Sequence, residues 1–226
     1  MKEAENIFAK GEHFVEPVIV ESGSTDRRFV LEAGARLYAT AFVLATDSGE
    51  AGGGKAKFRL TVDFTGEGAE FYLHALYITS GNDATRADID VIINHLTPRC
   101  TSRQLIKGIA TSEATGSFIG MVHVAPGAQK TDAAQRNQNL QLTDTAYVLS
   151  RPGLEIYADD VKCSHGSTVG RLDEETIYYM RQRGLSEAEA RRMQMHGFAA
   201  EIVNHCPSED SRRDIGERII SLIDRL

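Results

Sequence analysis

Apolar and polar residues alternate with a period of two over most of the chain, from about residue 14 to residue 165. The clearest case is segment 58–64, FRLTVDF, in which every second residue is apolar. Such alternation predicts a half-buried β-strand. Comparable segments lie at 37–43, 70–78, 88–93, 103–109, 118–124, 140–143 and 154–158. Their centres are too far apart for a series of tight hairpins, and the spacing is compatible with successive rungs of a wound sheet.

The turns between these segments limit the possible β-architectures. No helical pattern of convincing length interrupts the segments, which argues against a βαβ architecture. The turns are rich in Gly, Asp and Asn, as the corners of a β-sandwich or a β-helix require, and both architectures stay open. The glycine run 52–54 predicts a flexible corner rather than a phosphate loop, because Lys55 is followed by Ala56 and a strand. The amide-rich run 135–139, QRNQN, fits either a further corner or a ladder of side-chain hydrogen bonds on stacked rungs.

The period changes to that of helices after residue 166. Three helices are predicted to begin at capping residues, which are Asp173, Ser186 and Ser208. The first stops at Gly184, and the second has a capping box closed by Glu189 and runs to about Asn204. The third carries one apolar stripe, formed by Ile215, Ile219, Leu222, Ile223 and Leu226. We therefore divide the chain into a β-domain, residues 1–165, and a C-terminal helical domain, residues 166–226. The helices either cover the end of the β-domain or present a groove or ridge to a partner.

Composition excludes some partners. The formal net charge of −7 and a pI near 5.5 argue against a general nucleic-acid binder. No apolar run reaches the roughly 18 residues of a membrane span, and the first residues are polar and acidic, unlike a signal peptide. The three cysteines, Cys100, Cys163 and Cys206, are far apart and fit free thiols in a reducing compartment. We expect a cytoplasmic protein without nucleic-acid or membrane partners.

One pair of potential metal ligands lies at the end of the β-region. Cys163 and His165 are two residues apart on a strand-like run, so their side chains point to the same face and can bind one ion. A single Cys and a single His without a second pair also fit an ordinary strand end, and spacing does not separate the two interpretations. The chain contains neither a Gly-x-Ser-x-Gly elbow nor a His-Glu-x-x-His motif, so we predict that it is not an enzyme.

The residues around this pair resemble a known family. Residues 158–202, ADDVKCSHGSTVGRLDEETIYYMRQRGLSEAEARRMQMHGFAAEI, and the preceding residues 116–161 resemble the carboxy-terminal part of the SufB/SufD family of iron–sulfur cluster assembly. The resemblance is strong over about residues 88–226, and the sequence after His165 is similar to the SufD branch. It implies a mainly β fold, a right-handed parallel β-helix followed by a small C-terminal helical domain. Members are usually near twice this length, which implies a β-helix that is incomplete at its N-terminal end.

The resemblance also implies a function and partners. It implies a scaffold subunit that pairs with a SufB-like subunit through the β-helices and binds a SufC-like ATPase through its C-terminal helices. His165 matches a histidine that joins a nascent, transient iron–sulfur cluster at the subunit interface, and Cys163 matches the neighbouring cysteine. No cofactor is expected to bind tightly to the isolated chain, for which a homodimer is possible. Two alternatives stay open: a β-helix carbohydrate-active enzyme, although no ladder of acidic residues is evident, and a metal-free homo-oligomeric binding module.

Overall fold

Two parallel sheets contain the strands of the computed structural model, which describes residues 5–47 and 54–226. The strands are β1 (Glu5–Phe8), β2 (Gly11–Phe14), β3 (Val18–Val20), β4 (Gly23–Leu31), β5 (Ala35–Thr46), β6 (Lys55–Phe64), β7 (Glu70–Gly81), β8 (Arg86–His95), β9 (Thr101–Ser112), β10 (Thr115–Val124), β11 (Asp132–Gln141), β12 (Tyr147–Ile156) and β13 (Lys162–Gly170). The first sheet has the order β1-β4-β6-β8-β10-β12. The second has the order β13-β11-β9-β7-β5-β2, with β3 also paired to β5. From β4 onward the chain alternates between the sheets, so the fold is a parallel β-helix, as the resemblance predicts, and not an antiparallel sandwich.

Alternation along each strand places one set of side chains inside the coil. Phe58, Ile89 and Phe118 occupy matching positions on β6, β8 and β10, and each is fully or almost fully buried. The second sheet contributes the large Tyr77, whose ring lies between Gly108 and Gly116. A Cβ atom at either glycine would approach the ring to within about 2 Å, 2.0 Å at Gly108 and 2.2 Å at Gly116. These two glycines therefore make room for the ring inside the core.

The predicted strand segments agree with the observed strands except near three boundaries. Segment 154–158 runs two residues past the end of β12 at Ile156. Segment 140–143 is displaced, because β11 ends at Gln141 and its inward positions hold amides instead of apolar residues. The last strand continues through Gly170, so His165 lies in the middle of β13 and not at a strand end. Strands β1 to β4 were not individually predicted. Of the glycine corner, residues 52 and 53 lie outside the described residues.

Three helices follow, and their caps confirm the sequence prediction. They are α1 (Glu174–Gln182), α2 (Glu187–Val203) and α3 (Glu209–Ile223), with N-caps Asp173, Ser186 and Ser208. Gly184 ends the first helical segment with a φ of 96°, and the capping box between Ser186 and Glu189 is formed. Of the predicted apolar stripe, four residues are buried, but Leu226 lies beyond the end of α3 and is 37% exposed.

The helices pack on the outer face of the second sheet, not on the open end of the β-helix. Phe42, Leu76 and Ile109 point outward from β5, β7 and β9 and share a buried apolar cluster with the helices. Lys107 on β9 is only 3% exposed, and its Nζ donates hydrogen bonds to the Phe198 carbonyl oxygen, at 3.0 Å, and to the carboxylate of Glu201. Because the helical segment shares a core with the sheet, α2 is fixed to the strands that lead to the last rung.

None of the helices in the described part of the chain has the length and apolar character that crossing a membrane requires. The cytoplasmic location and the domain division at residue 165 stay predictions.

Candidate functional site

The C-terminal end of the β-helix is bounded by two edge strands. β12 is the last strand of the first sheet and β13 is the last strand of the second, and within the described residues no strand pairs with the outer edge of either. Each edge therefore presents a row of backbone N–H and C=O groups to which another strand can pair. This end, with the inward-facing side chains of β13, is the candidate site.

Both predicted ligands lie on the inner side of β13. Cys163 is in register with Ala133 of β11, and His165 is in register with Gln135. Ala133 and Gln135 are buried inside the coil, so the parallel register gives Cys163 and His165 the same inward direction. Cys163 is half-buried against the apolar core, whereas His165 is exposed because no further rung covers it. The structure therefore confirms that the two side chains share a face.

Serine hydroxyls join the two sheets beside this pair. Ser167 of β13 donates from Oγ to Ser150 Oγ of β12 at 2.6 Å, and Ser150 Oγ donates to Asn137 Oδ1 at 2.6 Å. Asn137 and Asn139 also hydrogen-bond each other at 2.7 Å inside the coil, and Tyr77 donates its hydroxyl proton to Asn139 Oδ1 at 2.7 Å. The interior therefore changes from apolar to polar near its open end, and the amide-rich run is a hydrogen-bonded ladder and not a corner.

A second pair of amides lies directly beneath His165. Gln104 of β9 and Gln135 of β11 are in register, and Gln135 donates from Nε2 to Gln104 Oε1 at 3.2 Å. Both residues are almost fully buried, at 3% and 2% exposed. The sequence left the polar run that contains Gln135 with two possible roles, a corner or a hydrogen-bonded ladder, but did not place Gln135 next to His165. The only signal in the sequence was an amide at a position where the alternation expects an apolar residue.

The environment of Cys163 makes it the weaker candidate ligand. Burial raises the pKa of the Cys163 thiol, the nearby Asp132 carboxylate acts in the same direction, and a backbone hydrogen bond at Ala133 opposes them. The thiolate, not the thiol, is the metal ligand and nucleophile, so this thiol is less reactive at neutral pH than a free one. The His165 ring, in contrast, is exposed at the last rung.

The described residues provide only part of a metal site. Within the ranges 5–47 and 54–226, no group of three or more His, Cys, Asp or Glu side chains is arranged to hold a metal ion. A four-coordinate metal centre needs more ligands than Cys163 and His165 supply. His95 and His123 do not add to the site. His95 points inward and hydrogen-bonds Ser102 at 2.9 Å, while His123 lies near Glu155 on the opposite face.

A second surface lies on the helices. An apolar groove of about 240 Å³ runs between α2 and α3. Its lining includes the small residues Gly197, Ala200 and Gly216, and also Ile220, which is 47% exposed. A groove of this kind is suited to an apolar side chain of a partner protein.

Comparison with known proteins identifies the family. The SufBD core domain of the SUF system for FeS cluster assembly matches residues 20–198. The chain belongs to the SufBD family. The matched region includes the β-helix from β4 onward, the Cys163–His165 pair and most of α2.

Individual members of the SufBD family show the same relationship. The iron–sulfur cluster assembly protein SufD of Escherichia coli is 37% identical over 168 residues, which are 74% of this chain and 39% of SufD. A SufBD-family iron–sulfur cluster assembly protein of Synechocystis is 38% identical over 133 residues, 59% of this chain and 29% of that protein. The chloroplastic protein ABCI7 of Arabidopsis thaliana is 37% identical over 134 residues, 59% of this chain and 28% of that protein. The chain therefore spans well under half the length of these relatives, and its SufD-like character is confirmed.

Proposed function

We propose that this chain is a SufD-like scaffold whose open β-helix end forms one half of an iron–sulfur cluster assembly site. The observation that carries the proposal is His165, which is exposed on the inner side of the unpaired strand β13, two residues from Cys163. Imidazole and thiolate both suit iron, and the remaining ligands come from another chain. The cluster is cargo, so no cofactor is bound tightly by the isolated chain.

Pairing through the edge strands supplies the second half of the site. β12 and β13 expose their outer edges at the same end, so a partner with a similar β-helix end can pair with both. A SufB-like subunit is the proposed partner, since relatives of this chain are named as SufBD-family assembly proteins. Pairing would cover His165 and bring the partner's ligands to the inner side of β13. In the absence of that partner, the same edges favour a homodimer.

The helices provide the proposed contact with a SufC-like ATPase. The groove between α2 and α3 is apolar and is continuous with the exposed Ile220. Lys107 fixes α2 to β9, and β9 pairs with β11, which pairs with β13. Movement of a docked ATPase would therefore be transmitted through two strands to the strand that carries His165.

Two alternatives are less well supported. A β-helix carbohydrate-active enzyme needs paired carboxylates on one sheet face. The sequence suggested no such ladder, but the structure brings several acidic residues together on the outer face of the first sheet. They are committed to ion pairs, however: Asp26–Arg59 at 3.2 Å, Asp63–Arg28 at 2.5 Å, Asp88–Arg86 at 2.7 Å and Asp90–Lys57 at 2.5 Å. A metal-free homo-oligomeric module would use the same edges but would not need His165.

Co-expression with a SufB-like and a SufC-like protein tests the proposal. We expect a ternary complex that carries a cluster, and we expect His165→Ala to retain the complex but lose most of the cluster. Ser164→Ala is the matched control, because Ser164 lies on the opposite side of the same strand. Ile220→Glu should release the ATPase and keep the SufB-like subunit. An unchanged cluster yield in His165→Ala would refute the role of His165, and absence of any complex would refute the scaffold function.

A further inference from the structure

The buried amide of Gln135 faces the rung that carries His165. Gln135 and His165 are in-register neighbours on adjacent parallel strands, which lie about 4.8 Å apart, and both side chains point into the coil. The Gln135 side chain is 2% exposed, which is unusual for an amide unless it is hydrogen-bonded on both its oxygen and its nitrogen. Among the side chains in register with His165 across the second sheet, the Gln135 amide is therefore the nearest buried polar group.

The hydrogen bonds of this amide are one-sided. Its Nε2 donates to Gln104 Oε1 at 3.2 Å, on the side away from His165. Its Oε1 is buried and has no partner among the described residues. A buried acceptor without a donor destabilises the fold by more than an ordinary hydrogen bond stabilises it, so a donor that can reach the acceptor is favoured. The imidazole of His165 carries an N–H group and lies on the neighbouring strand.

The opposite wall of the coil is shaped to hold the amide in this place. Gly120 of β10 lies across the interior, and a Cβ atom there would approach Gln135 Nε2 to 2.4 Å and Cδ to 2.8 Å. The glycine lets the amide extend over β10 instead of turning aside. The hydrogen bond to Gln104 holds Nε2 towards β9, and Gln104 Nε2 is itself buried without a partner among the described residues.

We propose that Gln135 is a positioning residue for His165. One ring nitrogen of His165 donates a hydrogen bond to Gln135 Oε1, and the other ring nitrogen stays free to bind iron. A histidine ligand usually donates its second N–H to a fixed acceptor, which selects the tautomer and orients the ring. The backbone register supplies such an acceptor without any partner chain. This inference rests on the proposed function, because it assigns a purpose to the ligand role of His165.

The tautomer of His165 tests the inference in the isolated chain. Histidine labelled with ¹⁵N reports the ratio of the two neutral tautomers at about pH 8, and His165→Ala assigns the signal. We expect Gln135→Met to change this ratio by about threefold to tenfold, as loss of one neutral hydrogen bond requires. Gln135→Glu keeps an acceptor at this position, so the same tautomer as in wild type should stay the major one. Gln138→Leu is the matched control, because Gln138 lies on the same strand and points to the outer face.

A second measurement separates this inference from the proposed function. In the complex with a SufB-like subunit, Gln135→Met should weaken cluster retention by about 10- to 100-fold, while Gln138→Leu should not. An unchanged tautomer ratio in Gln135→Met would overturn the positioning role even if clusters assemble normally. A changed ratio in a protein that assembles no cluster would support the contact and refute the cluster function instead. If Gln135→Met does not fold, the tautomer ratio of wild type and of Gln135→Glu still tests the inference. A wild-type ratio equal to that of free imidazole would contradict the contact.

Discussion

Acidification should loosen the contact between the helices and the second sheet. His74 points outward from β7 and stacks on His205, just after α2, with ring centroids 3.4 Å apart and ring planes 6° from parallel. Burial, and secondarily the adjacent His205, lowers the pKa of His74 from 6.5 to about 4, with Glu201 acting in the opposite direction. Burial also lowers the pKa of His205, again opposed by Glu201. The stack is therefore neutral at physiological pH and resists taking up protons.

The sign and size of the effect follow from linkage. Because the folded pKa lies below the unfolded one, the unfolded chain binds more protons as pH falls below 6.5. The stability is fully present at neutral pH and is lost as pH falls towards 4. For His74 alone the loss between about pH 7 and about pH 5 is roughly 2 kcal/mol. Solvent screening of the half-buried ring reduces the expected value to about 1 kcal/mol.

Urea unfolding at the two pH values measures this loss. His74→Phe keeps a stacking ring but cannot take up a proton, so its stability should fall by about 1 kcal/mol less than that of wild type between about pH 7 and about pH 5. The buried His95 also has a pKa lowered to about 4 by burial, but it is present in both proteins and cancels. Leu76→Val, in the same apolar cluster, is the control: it should lower stability at both pH values and keep the wild-type pH dependence. An equal loss in wild type and His74→Phe would refute the reasoning.

Three further predictions concern single contacts. Glu201→Gln should lower the free energy of unfolding in urea by about 1–2 kcal/mol, because it leaves the buried Lys107 ammonium without its counter-ion. Lys107→Met should lower it by less, and the reverse order would contradict the pairing of Lys107 with Glu201. Gly108→Ala should lower the free energy of unfolding by about 3 kcal/mol, because the new Cβ would meet the Tyr77 ring at 2.0 Å. In a double-mutant cycle, Tyr77→Leu should remove most of this loss, whereas additive effects would show that the ring can move aside. Cys163 should react with iodoacetamide more slowly than a free thiol in the folded protein and at the ordinary rate in urea, and equal rates would contradict the raised pKa.

Local sequence signals predicted much of the fold. The alternation in β6 and the caps at Asp173 and Ser186 depend on residues within a few positions of each other, so the chain alone contains the information. At β11 the sequence left two interpretations of the amide-rich run open, a corner or a ladder of side-chain hydrogen bonds, and the structure shows the ladder, with Gln135 facing inward. There the amides hydrogen-bond to residues about thirty positions away along the chain, and no local pattern distinguishes these inward-facing amides from a surface loop.

The packing of the helices is a second point that sequence left open. The apolar stripe of α3 shows that one face is buried, but it does not say against what. Lys107 lies on a strand, and its partner Glu201 lies on α2, so their pairing depends on the folded arrangement of both. The structure rules out the first alternative, a cover over the end of the β-domain, by placing the helices on the outer face of the second sheet, and docking of a partner on the helices stays a prediction. This placement leaves the end of the β-helix open for a partner.

By itself, the sequence determined the strand-rich class, the three capped helices and the shared face of Cys163 and His165, because each depends on the fixed periods of strand and helix. Only the tertiary structure decided which residues lie above and below that face. The length of each coil sets the register between β11 and β13, and this register puts the amide of Gln135 beneath His165, while no strand of the described residues occupies the next position. Contacts between rungs are long-range in sequence, and they exist only once the coil has closed.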